Sequence, residues 1–393
     1  DNLDLLDKDA SLVIYTPAIP KEHKQFNWYK DNDYRVLKRS QVLGEISKDK
    51  FCIAVAGSHG KTTVSSMIAH IVNETKGCTA FLGGIATNFG TNYIHSGKEI
   101  MVVEADEFDR SFMTLHPNIA VVTSIDSDHL DIYGSLENIQ AEFHAFTNLL
   151  DEKGALIAKK DLTVHGNHTG AKSMSYDIEA DANIKAINYK IIDGTYHFDI
   201  DFDGEIVEGL ELSLGGKHNV ENAIAAIVVA IELGIEKEEI KKALASFKGI
   251  YRRFEKRVDG DTVYIDDYAH HPNEVKALLN SVKELYPNQK ITCIFQPHLF
   301  SRTKDLAIDF GTQLSIADEV ILLPIYPARE LPIEGVTSDL ILQEIKHSQK
   351  SIKTREEVLD YVKDINHGVI LTVGAGDIDR LVPGIEKIIK ANG

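Results

Sequence analysis

The stretch AVAGSHGKTTVSSMIAHIV, residues 54–72, limits the possible folds more than any other part of the chain. It reads as an apolar strand, a glycine-bracketed turn ending in Lys-Thr-Thr, and a helix. A loop that feeds a helix start presents unpaired N–H groups and the positive end of the dipole to an anion. Gly57 and Gly60 let the backbone curl close to a phosphate. Lys61 supplies a mobile positive charge, and Thr62 a hydroxyl of the kind that meets Mg²⁺ after a P-loop lysine. A plain glycine turn capped by Thr is the competing reading; the strand before and the helix after favour the phosphate. The spacing is unusual, because Val55 stands where an ordinary P-loop has its first glycine.

Strands at 51–56, 101–105 and 119–125, with helices between them, predict a mostly parallel sheet under helical cover. From 184 to 214 the pattern becomes polar/apolar alternation with turns at DGT and DGE, which predicts antiparallel hairpins. Helices are expected over 218–232 and 236–247. Strands then recur at 262–267, 291–295, 319–326 and 368–376, again alternating with helices. The expected fold class is α/β. A central P-loop-type, mostly parallel sheet domain with an antiparallel side sheet (residues 48–250) precedes a Rossmann-like C-terminal domain (residues 251–393). Residues 1–47 read as a short α/β remnant, because the chain opens as if mid-domain.

The chain's 393 residues suffice for two or three domains with real cores. A net charge of −18 would repel a long polyanion, so nucleic acid is not an expected partner. No apolar run is long enough to span a bilayer. Cys52, Cys78 and Cys293 are scattered without a Cys-x-x-Cys pair, which favours buried thiols over a redox or zinc site.

Further polar clusters sit at the ends of these strands, where α/β sheets bind ligands. Glu104, Asp106, Glu107 and Asp109 offer hard oxygens suited to Mg²⁺, against the plainer reading of a solvated acidic loop. Asp126, Asp128, His129 and Asp131 follow the next strand. Asn219 and Asn222 share one helix face, and an amide can donate and accept at an adenine edge; an ordinary Asn-capped helix is an equal reading. Arg252 and Arg253 are either solvated surface or a partner for a transferring phosphoryl group. Asp266, Asp267, His270 and His271 crowd one turn, with zinc as a competing idea. His298 and Arg302 follow a strand end, where Arg302 is either a bidentate carboxylate ligand or a helix-entry arginine. GAGDID, 374–379, lacks a third glycine and reads as a structural turn.

The loop G-x-H-G-K-T-T resembles that of the Mur ligases, the ATP-dependent amide-forming enzymes of peptidoglycan precursor synthesis. So do, in order, YTPAIP, EADEFDRSF, IDSDHLDIYG, HN-x-x-N, RRFE, DDYAHHPNEV and FQPHLFSRT, which together cover nearly the whole chain. The resemblance implies that Gly57, Ser58, His59, Gly60, Lys61, Thr62 and Thr63 bind ATP. Asn219 and Asn222 would meet adenine, and Asp267 would lie near the nucleotide. Thr62, Glu104 and His129 would serve Mg²⁺, and Arg253 the phosphoryl group. Tyr268, His270, His298 and Arg302 would surround the acceptor, with His270 as a base. Asn88, Thr91 and Asn92 would contact the sugar nucleotide. Two departures stand out: Ser124 replaces a usual Asn, and Leu299 replaces a frequent Arg.

Within the family the motifs are most like those of the member that joins L-alanine to the lactyl carboxylate of UDP-N-acetylmuramate. The implied reaction is two-step: ATP phosphorylates the carboxylate, and the amine then displaces phosphate. It needs ATP and Mg²⁺ and runs in the cytoplasm. It also implies domain closure. Residues 1–47 resemble only the last part of the family's N-terminal UDP-binding domain. The alternatives are a tripeptide-adding recycling ligase, a folyl-polyglutamate-like relative, and a non-catalytic nucleotide-binding protein on the same scaffold.

Overall fold

The protein is described by a computed structural model that covers residues 2–108, 110–126, 133–164, 170–179 and 181–392. Two compact units emerge. The first comprises Asp1–Gly83, Asn92–Lys185 and Ile224–Ile235; the second comprises Gly84–Thr91, Ala186–Ala223 and Glu236–Gly393.

The first unit opens with β1 (Val13–Tyr15), α1 (Lys24–Asp31), β2 (Val36–Lys38) and α2 (Arg39–Lys48); β1 and β2 pair in parallel. Its main sheet contains β3 (Phe51–Ala56), β4 (Thr79–Ala86), β5 (Thr91–His95), β6 (Ile100–Glu104), β7 (Ile119–Val122), β8 (Ala155–Lys159) and β9 (Lys172–Asp177). The order is β9-β8-β7-β3-β6-β4-β5, with parallel pairing from β9 through β4. In β3, every residue after Phe51 is buried, which is why it reads as a continuous apolar run. Between β3 and β4 lies α3 (Lys61–Thr75), buried without a break from Val64 to Val72. After β7 comes α4 (Leu136–Thr147), whose Phe143 and Phe146 pack on Phe112 in the core.

In the second unit, β10 (Ile184–Ile192), β11 (Thr195–Phe202) and β12 (Glu205–Leu212) lie side by side. The two tight turns are Asp193-Gly194 (φ 47° and 71°) and Asp203-Gly204 (φ 52° and 93°). Left-handed backbone at both central positions matches the twist of hairpin strands, and Asp-Gly tolerates it. The alternation expected over 184–214 is therefore a pair of hairpins, with Tyr196, Phe198 and Ile200 on the buried face of β11. Next come α5 (Lys217–Glu232), whose residues from Ile224 on are counted with the first unit, and α6 (Lys237–Ala245).

A six-stranded sheet follows, ordered β13-β14-β18-β15-β16-β17. It contains β13 (Glu255–Val258), β14 (Thr262–Asp267), β15 (Ile291–Phe295), β16 (Glu319–Leu322), β17 (Lys350–Ile352) and β18 (Gly368–Val373). Only β13 runs antiparallel. The covering helices include α7 (Pro272–Leu285), α8 (Phe300–Leu314), α9 (Asp339–Glu344), α10 (Arg355–Val362) and α11 (Val382–Asn392). β16 stops short of the expected 319–326 because Pro324 has no N–H to continue a ladder. The chain returns through β18 between β14 and β15, so the strand order switches there. Ligands of open α/β sheets bind outside the carboxyl ends at such a point.

All three cysteines are buried and free, and burial pushes each thiol up to about 12. Among the described residues no helix is long and apolar enough to cross a membrane.

Candidate active site

In the first unit the glycine loop is tied down by the segment after β7. Ser58 N–H donates to the Ser124 carbonyl at 3.0 Å, and Asp126 N–H donates to Ser58 Oγ at 2.8 Å. His59 N–H donates to Ser124 Oγ at 2.8 Å, while the Thr123 hydroxyl donates to the His59 carbonyl. A side chain at residue 57 is excluded twice. Its φ is 143°, and a Cβ there would lie 2.1 Å from Thr123 Oγ1. Gly60, at φ 82°, caps α3. His59 thus shapes the loop through its backbone, with its ring exposed and 3.6 Å from the Asp126 carboxylate.

Lys61 turns back over this loop. Its ammonium donates to the Gly57 carbonyl at 2.5 Å and to Glu107 Oε1 at 2.8 Å. Beside it, the Glu104 carboxylate accepts from the Thr62 hydroxyl and, at 2.9 Å, from Gly83 N–H. Burial pushes the Glu104 carboxyl above its usual range, although Thr62, Gly83 and Lys61 pull the other way. A buried carboxylate that prefers a proton also gains from a cation. With the Thr62 hydroxyl it forms a pair of hard oxygen donors, which suits Mg²⁺. Among the described residues, no cluster of three His, Cys, Asp or Glu side chains could hold a metal. His129, Asp128, Asp131 and Asp109 lie outside the described residues.

In the second unit the two adjacent arginines part company. Arg252 and Phe254 have φ of 57° and 46°, which turns successive side chains in opposite directions. Arg252 is buried. Its Nε donates to Asp266 Oδ2 at 3.0 Å, and its guanidinium reaches the Gly374 carbonyl at 2.5 Å. Asp266 also accepts from the Thr372 hydroxyl at 2.6 Å. Arg253 is exposed, and its charge is felt at Asp267. Asp267 accepts Phe254 N–H at 2.6 Å and Ala269 N–H at 2.7 Å. Burial outweighs both donors and raises its carboxyl to about 6.

Phe254 packs against Gly215, where a Cβ would lie 2.0 Å from the ring. The Gly215 carbonyl accepts from Asn219 Nδ2 at 2.6 Å, and Asn222 Nδ2 donates to Asn219 Oδ1 at 3.1 Å. The two asparagines share a face, as the spacing predicts, and they hold each other.

Four rings line the carboxyl ends of β14, β15 and β16. Tyr268 meets His270 at 5.3 Å between centroids, His270 meets His298 at 6.1 Å, and His298 stacks on Tyr326 at 5.7 Å. His270 Nδ1 lies 3.0 Å from the Tyr268 carbonyl. A carbonyl only accepts, so Nδ1 donates there; in the neutral tautomer this leaves the lone pair on Nε2, as a base requires. Arg302 donates to the His270 carbonyl at 3.3 Å. Burial lowers the His298 ring below its usual range, helped by the charge of Arg302.

Other residues of these clusters hold structure. His271 caps α7, and Glu274 completes the capping box. Asn88 uses both ends of its amide, donating to the Ser246 carbonyl at 2.8 Å and accepting Lys248 N–H at 2.7 Å. Thr91 and Asn92 begin β5. The GAGDID segment forms the turn after β18: Gly374 receives Arg252, and Gln296 bonds both Asp377 and Ile378 N–H. Sequence reasoning named Glu107 only as a metal oxygen, not as the partner of Lys61, and missed Gly83, Gln296, Tyr326 and Glu330. Gln296 alone left a trace, as a polar residue directly after an apolar strand. A cavity of about 570 Å³ beside Tyr286 and Gly260 holds none of the site residues.

Comparison with known families decides what this architecture is. The Mur ligase middle domain matches residues 55–230, and the Mur ligase, glutamate ligase domain matches residues 252–376. The chain belongs to the Mur ligase family. Among its relatives in that family is a UDP-N-acetylmuramate–L-alanine ligase of Flavobacterium psychrophilum. It is 48% identical over 98% of this chain and 86% of its own length. A Porphyromonas gingivalis ligase of the same name is 46% identical over 97% of this chain and 85% of its own. The crystal structure of a UDP-N-acetylmuramate-alanine ligase from Thermotoga maritima superposes with a TM-score of 0.77. That pair is 26% identical, covering 99% of this chain and 86% of the other. As a Mur ligase, the chain is an amide-forming enzyme.

Proposed function

We propose that this Mur ligase joins L-alanine to the lactyl carboxylate of UDP-N-acetylmuramate, with ATP converted to ADP and phosphate. One observation carries the reading: 48% identity across nearly the entire chain to a ligase named for that reaction. Both the glycine loop and the acceptor-side rings lie within the aligned length. The nucleotide substrates of that reaction place it in the cytoplasm, in the making of the cell-wall precursor.

Lys61 and the N–H groups of residues 57–63 receive the ATP phosphates. Thr62 and Glu104 supply the oxygens for Mg²⁺, with His129 as a further ligand. Bound there, Mg²⁺ would neutralise phosphate charge. Asn219, Asn222 and Asp267 serve the nucleoside, and Arg253 the phosphoryl group. Thr91 and Asn92, with Asn88 bracing its own loop, face the sugar nucleotide. His298 and Arg302 take the acceptor, whose carboxylate suits a guanidinium. An ammonium cannot attack a carbonyl, so a base must take its proton; His270 Nε2 has the lone pair for that. We read residues 1–47, 48–250 and 251–393 as a UDP-side segment, the ATP-binding domain and the amino-acid-binding domain.

Phosphate release with UDP-N-acetylmuramate, ATP and Mg²⁺ tests the reading against a panel of L-alanine, L-serine, glycine and a muropeptide tripeptide. L-Alanine should give the highest kcat/KM. Preference for the tripeptide would overturn the alanine assignment. ATP binding without acceptor-dependent release would point to a non-catalytic protein.

A further inference from the structure

The loop after β16, residues 323–338, is fastened to the loop after β15 around His298 and Arg302. Tyr326 N–H donates to the Pro297 carbonyl at 2.8 Å, and Leu299 N–H donates to the Tyr326 carbonyl at 2.9 Å. The His298 and Tyr326 rings stack with their planes 21° apart. Further along, Glu330 accepts Ser301 N–H at 3.0 Å and also the Ser301 hydroxyl.

These contacts restrain a strained backbone. Leu299 caps α8 at φ 72° and ψ 136°, a region that a residue with a Cβ avoids. Such strain persists only where the surroundings hold it. On one side the Tyr326 main chain holds Pro297 and Leu299 while its ring packs on His298 between them, and on the other Glu330 anchors the first turn of α8. Glu330 is well placed for this, since a helix start favours an anion. Its donors from Ser301 hold its carboxyl below the usual range, so it is ionised. Arg302 lies in that same first turn. If the turn relaxed, Leu299 would leave its strained conformation and shift His298 and Arg302 together.

We propose that Tyr326 and Glu330 are positioning residues for the acceptor amino acid, acting through His298 and Arg302 without touching it. The proposal rests on the reading above that His298 and Arg302 face the acceptor. Its signature is selective, because the glycine loop shares none of these contacts. Loss of the clamp should raise KM for the amino acid and leave KM for ATP alone.

The test is steady-state phosphate release by the full chain, with L-alanine or ATP varied in turn. Glu330→Ala and Tyr326→Ala should each raise KM for L-alanine about tenfold, with KM for ATP within about twofold. Glu330→Gln keeps an acceptor oxygen for Ser301 and should lose less. Tyr326→Phe keeps the ring stack and should restore most of the loss, which a role for the Tyr326 hydroxyl on substrate would not allow. An unchanged KM for L-alanine in both alanine variants overturns the proposal. So does an equal rise in both KM values, which signals general loosening. Should either alanine variant fail to fold, Tyr326→Leu, which removes the ring stack, and Glu330→Leu, which removes both acceptor oxygens, decide by the same criterion. Wild-type protein that used another amino acid would sink the alanine reading alone, and the KM shift must then appear on that acceptor. Wild-type protein with no acceptor-dependent release would overturn both.

Discussion

The Lys61 ammonium lies 2.8 Å from the Glu107 carboxylate; Glu107 is buried at 3% exposure, and Lys61 is largely covered at 14%. The residue expected to serve phosphate is thus also the counter-charge of a carboxylate that has little access to water. Removing one member of such a pair leaves the other without its compensation.

Lys61→Ala should therefore do two things. Turnover should fall by about 10²-fold or more, as for loss of a key charge-stabilising donor. Stability should also drop, by about 3 kcal/mol, because Glu107 loses its cation. Chemical denaturation of Lys61→Ala beside Lys61→Ala/Glu107→Gln checks this. The double variant should recover most of the stability and none of the activity. Equal stability of Lys61→Ala and wild type would refute the coupling.

Gly83 has no side chain where the Glu104 carboxylate sits; a Cβ there would lie 2.3 Å from Oε2. Gly83→Ala should push the carboxylate off the Thr62 hydroxyl. Because the displaced group is the tip of a side chain, the melting temperature should change little. The Mg²⁺ concentration for half-maximal activity should rise several-fold. An unchanged Mg²⁺ dependence would remove Glu104 from the metal assignment.

Asp267 titrates near 6 instead of near 3.8. The folded state therefore holds a proton that the unfolded chain has already released between those values. The slope of stability against pH is negative there, so this group weakens the fold as pH rises from about 4 to about 6, by roughly 2–3 kcal/mol at most. Carboxyl NMR should show a midpoint near 6 that Asp267→Asn abolishes. A midpoint near 4 would show that the two N–H donors outweigh burial.

The Phe254 ring fills the space above Gly215, within 2.0 Å of where a Cβ would stand. Gly215→Ala should cost about 1–3 kcal/mol as overpacking. It should also weaken ATP binding, because Phe254 N–H holds Asp267 and the Gly215 carbonyl holds Asn219. Calorimetry on Gly215→Ala and on Gly215→Ala/Phe254→Leu separates strain from lost contact. The smaller side chain should restore part of both losses.

Much of the fold was legible because buried parallel strands are continuous apolar runs. Residues 262–267 and 291–295 were bounded to the residue for that reason, and Asp-Gly marked both hairpin turns. The glycine loop was legible because only glycine suits Gly57. Other features depend on distance in the sequence. Lys61 and Glu107 are 46 residues apart, and Arg252 and Gly374 are 122 apart. Nothing local separates Arg252 from Arg253; the left-handed backbone at 252 and 254 does. Likewise, Asn88 and His271 offer the right chemistry for a ligand, but the structure commits them to caps and loop braces. Tyr326 and Glu330 escaped notice because their partners lie in another loop.

The position of β18 between β14 and β15 has a consequence for synthesis. When β14 leaves the ribosome, its parallel neighbour has yet to be translated, and so have the carbonyls of Gly374 and Gly376 that receive Arg252. About a hundred more residues must be added first, which takes on the order of 5–20 seconds at usual elongation rates. Over that interval a buried arginine, Asp266 and the Asp267 turn stay unfinished. Until then the apolar edge of β14 lacks its parallel partner, as the β18-facing edge of β15 does, and both are stretches for a chaperone to cover.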